Sequence, residues 1–118
     1  MLFGIGCDIE EISRFNKLVA MDEFVDLVFL PLEKEYCRNK QVPEQHFAVR
    51  FCGKEAVIKA LASINIGKVD FLDIEIINDG KGVPRVRILK NIRQNIDIKL
   101  SLSHSRRSAL AQALVVIN

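Results

Sequence analysis

Residues 51 to 61 read Phe-Cys-Gly-Lys-Glu-Ala-Val-Ile-Lys-Ala-Leu, and this stretch decides the fold. At about 3.6 residues per turn it predicts a long helix, roughly 44–64 after Pro43, that is apolar around nearly its whole circumference. Such a helix is expected to be buried. It also carries Glu55 and, one turn later, Lys59. A carboxylate and an ammonium on a buried helix need a partner, which is the other side chain, a metal ion or a charged ligand.

The composition is that of one domain spanning residues 1–118. No run of about 18 or more apolar residues predicts a membrane-spanning helix, and the N-terminus lacks the pattern of a signal peptide. Three widely spaced cysteines argue against a disulfide framework, so a reducing, cytoplasmic location is expected. A net charge of +2, with no basic tract and no Trp, gives no indication of nucleic-acid binding.

Residues 2–9 alternate in a pattern that predicts a strand. Two glycines on the same face as Asp8 clear that face of side chains, so that a ligand or another backbone can approach the carboxylate closely. Asp8 followed by Glu11 is also a capping-box pattern, which would make Asp8 the start of a helix. The face with the glycines carries Leu2, Gly4, Gly6 and Asp8, and the opposite face carries Phe3, Ile5, Cys7 and Ile9.

The remaining elements predict an α+β fold, in which the long helix packs across an antiparallel sheet. Turn-forming residues between two strands indicate a hairpin, and the last two strands are connected by a polar segment. The predicted strands span 71–77, 84–89, 96–103 and 109–117, and shorter helices span roughly 10–20, 22–29 and 32–40.

The charged residues of the long helix allow more than one interpretation. Glu55 and Lys59 have the spacing and order of an i,i+4 salt bridge. Gly53 is unfavourable inside a helix by roughly 1 kcal/mol relative to Ala, which indicates that a ligand or backbone needs the space there. Arg50 and Lys54 form a second stripe, and two neighbouring cations either face water or share an anion such as phosphate.

Two further features bear on chemistry. His104 lies in a polar connection, 103–108, that is either an ordinary exposed loop or a phosphate site built from hydroxyls, a ring nitrogen and backbone N–H groups. Two carboxylates with a lysine nearby suit magnesium, which prefers oxygen ligands and commonly shares substrate phosphates. Without a His/Cys cluster, zinc is not expected.

Four motifs taken together resemble the holo-acyl-carrier-protein synthases, the small single-domain class of 4'-phosphopantetheinyl transferases. The resemblance runs nearly end to end, in the order and spacing of that family. Two departures stand near the expected coenzyme A pocket: Val83 replaces a common basic residue, and 62–67 lacks the usual glycine-rich turn. The motifs are Gly-Ile-Gly-Cys-Asp-Ile-Glu-Glu-Ile-Ser-Arg-Phe (4–15), Arg-Phe-Cys-Gly-Lys-Glu-Ala-Val-Ile-Lys-Ala-Leu (50–61), Gly-Val-Pro (82–84) and Leu-Ser-Leu-Ser-His-Ser (100–105).

The resemblance implies an enzyme that moves the 4'-phosphopantetheine arm of coenzyme A to a serine of apo acyl carrier protein. The reaction releases adenosine 3',5'-bisphosphate and serves fatty acid biosynthesis. Asp8 and Glu55 match the two carboxylates that share Mg²⁺ with the coenzyme A diphosphate. Lys59 matches the lysine that contacts the phosphate being transferred.

The resemblance also implies where the two substrates bind. Arg50 and His104 match residues that hold the adenosine end, including its 3'-phosphate, and Pro84 would line the adenine side. Arg14 matches the basic contact to the acidic helix of the carrier protein. Members of the family are homotrimers with each active site at a subunit boundary.

Two other kinds of protein fit parts of the pattern. A non-catalytic binder of coenzyme A or of a carrier protein would be expected to lose Asp8, Glu55 or Lys59, and all three are present. A structural α+β oligomerisation module with fortuitous polar pairs would show no magnesium-dependent coenzyme A binding. The motif set favours the transferase.

Overall fold

The computed structural model describes all residues, Met1–Asn118, and confirms the predicted α+β class. Single 3₁₀ turns precede the first helix and the second strand. No helix is both long enough and apolar enough to span a membrane. The strands are β1 (Leu2–Glu11), β2 (Ile74–Asn78), β3 (Pro84–Ile88), β4 (Ile96–His104) and β5 (Ser108–Ile117), and the helices are α1 (Phe15–Leu18), α2 (Asp22–Val28), α3 (Pro31–Arg38) and α4 (Pro43–Ala62).

The strands form two antiparallel sheets. The larger sheet has the order β1-β5-β4, so that β5 lies between the other two strands. The smaller sheet is the β2-β3 hairpin. Helix α4 packs across the inner face of the larger sheet, as predicted, and every residue from Phe47 to Lys54 is buried. Pro43 occupies the first turn of α4, where the missing N–H of proline leaves no unpaired donor.

The glycines of β1 allow the backbone of α4 to approach the sheet. A Cβ atom on Gly6 would lie 2.2 Å from the carbonyl oxygen of Ala56, and one on Gly4 would lie 2.3 Å from that of Ala60. No side chain fits in that gap, because both obstructing atoms belong to the helix backbone. The sequence allows either a ligand or another backbone to approach these glycines. The structure shows that the backbone of α4 does so.

Gly53 has a different role from the one predicted. A Cβ atom there would lie 2.8 Å from Cδ1 of Ile76 and 3.1 Å from Cδ2 of Leu102. The missing side chain therefore makes room for core residues of the two sheets. The prediction that Gly53 leaves space for a ligand or a backbone is wrong, because apolar side chains fill that space.

The capping interpretation of Asp8 is also wrong. Strand β1 continues to Glu11, and Asp8 pairs with Ala111 in the middle of the β1–β5 ladder. The segment predicted as a helix over 10–20 is instead the end of this strand, a 3₁₀ turn and the single-turn helix α1. Pairing with β5 as far as Glu11 keeps the backbone extended at Asp8, where a helix cap would have ended the strand.

A buried ion pair fixes the other side of α4. Nζ of Lys54 lies 2.7 Å from Oε1 of Glu33 on α3 and donates to the carbonyl oxygens of Val28 and Phe71. Oε2 of Glu33 accepts a hydrogen bond from the backbone N–H of Ile76. Burial lowers the pKa of Lys54, while the Glu33 charge opposes that shift. Arg50 and Lys54 were predicted either to face water or to share an anion. Lys54 does neither, because it is buried against Glu33.

Gly6→Ala is expected to reduce the free energy of unfolding by about 1–3 kcal/mol, because the methyl group forces β1 and α4 apart. Gly80→Ala is the matched control, since a Cβ atom there has no neighbour within 4 Å. Urea denaturation of both variants provides the measurement. Equal stability of the two variants would contradict the close backbone contact.

Lys54→Met is expected to destabilise the fold by about 3–5 kcal/mol, because it leaves the Glu33 carboxylate buried without its cation. Removing both charges, in Glu33→Gln with Lys54→Met, should cost less than the single change. The control is Lys34→Gln, which breaks a more exposed pair with Asp26 and should change stability by less than about 1 kcal/mol. Thermal unfolding distinguishes these cases, and a Lys54→Met protein as stable as the control would contradict the assignment.

Candidate active site

The first group of candidate residues lies where α4 crosses β1. Nζ of Lys59 is 3.2 Å from Oδ1 of Asp8 and donates a hydrogen bond to the carbonyl oxygen of Cys7. This hydrogen bond to Asp8 is the main cause that raises the pKa of Lys59. Because the glycines bring the helix down onto the strand, a side chain on α4 and one on β1 meet at this point.

Asp8 carries an unused acceptor. Its side chain is only 10% exposed, and Oδ2 is buried without any hydrogen-bond partner. A buried carboxylate oxygen without a partner is costly, and a bound cation would satisfy it. The donor set at this point is oxygen, as magnesium prefers.

Glu55 lies on the same side of the helix. Burial raises the pKa of Glu55, and the neighbouring Asp8 charge raises it further, whereas Lys59 lowers it. The predicted i,i+4 salt bridge between Glu55 and Lys59 is absent, because Lys59 pairs with Asp8 instead. The result is two neighbouring carboxylates and one lysine, which pairs with Asp8 alone, and this excess of negative charge suits a divalent cation.

No group of three or more His, Cys, Asp or Glu side chains is arranged to hold a metal ion. A pair of carboxylates is nevertheless a common way to hold magnesium, because that ion usually keeps several waters and takes substrate phosphates as further ligands. Asp8 and Glu55 fit this pattern. The free cysteines Cys7, Cys37 and Cys52 lie on three different elements, β1, α3 and α4.

Glu10 belongs to this group, although the sequence interpretation did not single it out. It lies two residues after Asp8 on β1, and its carboxylate pairs with Arg14. Burial raises the pKa of Glu10, Arg14 lowers it and the Asp8 charge raises it. The signal was present in the strand alternation, because residues 8 and 10 of one strand face the same side.

The second group of candidate residues lines a cleft of about 160 Å³ on the opposite flank of α4. Arg50, Pro84 and His104, which the sequence predicts to bind coenzyme A, all line this one cleft. They come from α4, β3 and β4, three elements that are distant in sequence. The side-chain nitrogen of Gln45 lies 2.8 Å from Nε2 of His104 and orients the ring at the edge of the cleft.

Arg50 is buried in the wall of the cleft. One of its terminal nitrogens donates to Oδ1 of Asn78 at 3.2 Å, and the guanidinium carbon lies 4.1 Å from the centre of the Tyr36 ring. Its Nε is buried without a partner. The sequence interpretation missed Tyr36 and Asn78, because they belong to segments that the fold alone brings to the arginine.

The two groups are separated by α4 itself. Asp8 of β1 and Leu102 of β4 both pair with Ala111 of β5, so their Cα atoms are about 10 Å apart across two strand spacings. His104 follows Leu102 on the same face, and the helix, roughly 10 Å wide, covers that face between the two edges. Lys59 therefore lies apart from Arg50, Pro84 and His104 within one chain.

Arg14 is exposed beside the first group. Its guanidinium pairs with Glu10 and lies about 6 Å from the ring centres of Phe15 and Phe51. The apolar side of this segment is anchored, because Ile12 and Phe15 are buried. A cation held on a rigid turn next to the carboxylate pair is thus available to a partner.

Comparison with known proteins gives three kinds of match. The family model of the 4'-phosphopantetheinyl transferase superfamily matches residues 4–115. A holo-[acyl-carrier-protein] synthase of Caldicellulosiruptor saccharolyticus is 40% identical over 121 residues, which cover 97% of this chain and 96% of the relative. One from Protochlamydia amoebophila is 38% identical, over 97% of this chain and 98% of the relative.

Solved structures agree with the sequence relatives. An ACPS–CoA complex from Chronobacterium ammoniagenes superposes with a TM-score of 0.85 at 25% identity, over 100% of this chain and 99% of that one. A holo-(acyl-carrier-protein) synthase of Bacillus anthracis in complex with CoA (3',5'-ADP) gives 0.76 at 31% identity, over 95% and 94% of the two chains. The chain therefore belongs to the 4'-phosphopantetheinyl transferase superfamily and, within it, to the holo-[acyl-carrier-protein] synthases.

Proposed function

We propose that this chain transfers the 4'-phosphopantetheine group of coenzyme A to a serine of apo acyl carrier protein and releases adenosine 3',5'-bisphosphate. Family membership and the relatives' names support the reaction. The structural observation that carries the proposal is the Asp8–Lys59 pair with its unpartnered carboxylate oxygen, next to Glu55. Relatives of known structure bind coenzyme A, in agreement with the substrate.

Asp8 and Glu55 are the proposed magnesium ligands. When bound, Mg²⁺ would neutralise charge on the coenzyme A diphosphate and on the departing bisphosphate. Lys59 is exposed beyond its contact with Asp8, so its ammonium can also reach a phosphate oxygen. Charge stabilisation of this kind usually provides the largest share of catalysis in phosphoryl-type transfer.

Arg50, Pro84 and His104 are proposed to bind the adenosine end of coenzyme A. Arg50 offers a buried cation with a free N–H, and His104 offers a ring at the edge of the same cleft. Pro84 contributes an apolar wall, which suits the adenine face. These three residues hold and orient the substrate, and the chemistry takes place at the first group.

The assembly is proposed to be a homotrimer in which each site combines two copies. The outer face of the β1-β5-β4 sheet carries large apolar side chains that are exposed in the single chain, and such a patch is typical of an interface. One coenzyme A molecule would reach from the Arg50 cleft of one copy to the Lys59 group of the next. The exposed residues include Phe3 (61%), Ile5 (62%), Ile9 (64%), Leu110 (45%) and Leu114 (39%).

The carrier protein is proposed to dock on the segment that carries Arg14. Arg14 and Lys17 both lie on its exposed side, and their charge would attract an acidic partner. Since Arg14 pairs with Glu10, which is two residues from Asp8, docking at this position would bring the acceptor serine close to the carboxylates.

Asp8→Asn and Glu55→Gln are each expected to lower the transfer rate by more than about 100-fold, because each removes one charged ligand of the metal. The measurement is the mass gained by apo carrier protein on incubation with coenzyme A and magnesium. Chelation of the metal should abolish the gain in the wild-type protein.

The control for these changes is Asp26→Asn, which removes an exposed carboxylate on α2, a helix that carries none of the site residues, and should leave the rate unchanged. Both site variants should stay folded and assembled, because each replaces a carboxylate by an amide of nearly the same size, and Oδ2 of Asp8 makes no hydrogen bond in the fold. Full transfer by either site variant would refute the metal assignment. No transfer by the wild-type protein with any carrier protein would refute the function.

A further inference from the structure

The cleft beside α4 is cationic without any compensating acid. Its lining includes Arg50, His46 and His104 but no Asp or Glu. Nζ of Lys40 lies 4.5 Å from the centre of the Tyr36 ring, and the Arg50 guanidinium lies 4.1 Å from the same ring. Two cations therefore contact one aromatic ring, and a bound anion would reduce the excess of positive charge around it.

Arg50 supplies direct support for an anion. It is only 3% exposed, and a guanidinium cannot lose its proton to escape burial. Its contacts are the neutral groups of Asn78 and Tyr36, and its Nε has no partner. A buried, permanently charged side chain without a carboxylate is expected to bind an anionic group of a ligand.

His46 lies in the same cleft, one helical turn before Arg50. Its ring meets the Tyr36 ring edge-on, with 5.9 Å between the centres, and it is partly buried. Burial lowers the pKa of His46, and the charges of Lys40, Arg50 and His104 lower it further. Those groups face the imidazole from the turn after α3, from α4 and from β4, so without a ligand the ring is neutral near pH 7.

We infer that His46 is a specificity-determining residue that takes up a proton when a phosphomonoester enters the cleft and then donates a hydrogen bond to it. This inference rests on the proposed function, in which that group is the 3'-phosphate of coenzyme A. The phosphate dianion supplies the negative charge that the cleft lacks, so it stabilises the imidazolium next to Arg50. The proton comes from solvent, and no covalent bond changes.

The consequence is that the 3'-phosphate is recognised more strongly as the pH falls. A group that gains one proton on ligand binding changes the affinity by at most about tenfold per pH unit. A ligand without the 3'-phosphate makes no such contact, so its affinity should not depend on His46. The enzyme would therefore distinguish coenzyme A from its dephosphorylated form best below neutral pH.

The test is calorimetric binding of adenosine 3',5'-bisphosphate between pH 6 and 8, with adenosine 5'-monophosphate as the ligand that lacks the 3'-phosphate. The assembled wild-type protein is compared with His46→Gln and His46→Lys. Because the phosphate itself changes its protonation over this pH range, the informative quantity is the affinity of wild type relative to His46→Gln at each pH. Lys34→Gln on α3 removes a cation outside the cleft and serves as the control.

For the bisphosphate, the wild-type advantage over His46→Gln should grow roughly fivefold to tenfold from pH 8 to pH 6. Buffers of different ionisation enthalpy should report more proton uptake by the wild type. His46→Lys should bind the bisphosphate tightly with no such extra pH dependence. The chain has two histidines, so the ring protons of His46 can be followed by NMR, and its pKa should rise on binding.

Parallel pH profiles of wild type and His46→Gln, with equal proton uptake, would overturn the inference. If a variant fails to fold, the NMR titration of the wild-type protein alone decides, since an unchanged His46 pKa on binding is the opposing result. The proposed function is judged separately by mass gain on the carrier protein. Transfer by wild type without a His46 effect refutes this inference only, whereas absence of transfer refutes the function itself.

Discussion

The close contact between the backbone of α4 and the glycines of β1 is the constraint on which the rest of the structure depends. With no side chain at Gly4 or Gly6, the helix lies directly on the strand. The ammonium of Lys59 then reaches Asp8, two residues beyond the second glycine. On the other side, the buried Glu33–Lys54 pair joins the helix to α3, so α4 is held from both directions.

This arrangement divides the candidate site into two halves. The helix that brings Lys59 to Asp8 also stands between that pair and the cleft lined by Arg50 and His104. Coenzyme A, which would bind its adenosine at one half and react at the other, is proposed to span two copies of the chain. The exposed apolar face of the sheet supports that proposal, because burial of such a face stabilises an oligomer.

The sequence predicted the elements better than their contacts. The long helix, the hairpin and the last two strands follow from periodicity and turn residues, and α4 is as buried as its composition indicates. The partner of Lys54 could not be predicted, because Glu33 lies on another helix and meets it only in the folded chain. Asp8 was ambiguous for a similar reason: strand pairing over the whole of β1, a tertiary effect, overrides its local capping pattern. His46 and Tyr36 carry no motif, so only the cleft identifies them.

The most direct test of the two-copy site is complementation between inactive variants. His104→Ala and Lys59→Ala change exposed side chains in different halves, so each should assemble normally and each should lose transfer. Coexpressed with different tags and purified through both, mixed trimers should recover about a third of wild-type transfer, because one of the three boundaries in each mixed trimer pairs two intact halves. Mixed assemblies as inactive as either variant alone would contradict the account, since each site would then belong to a single chain.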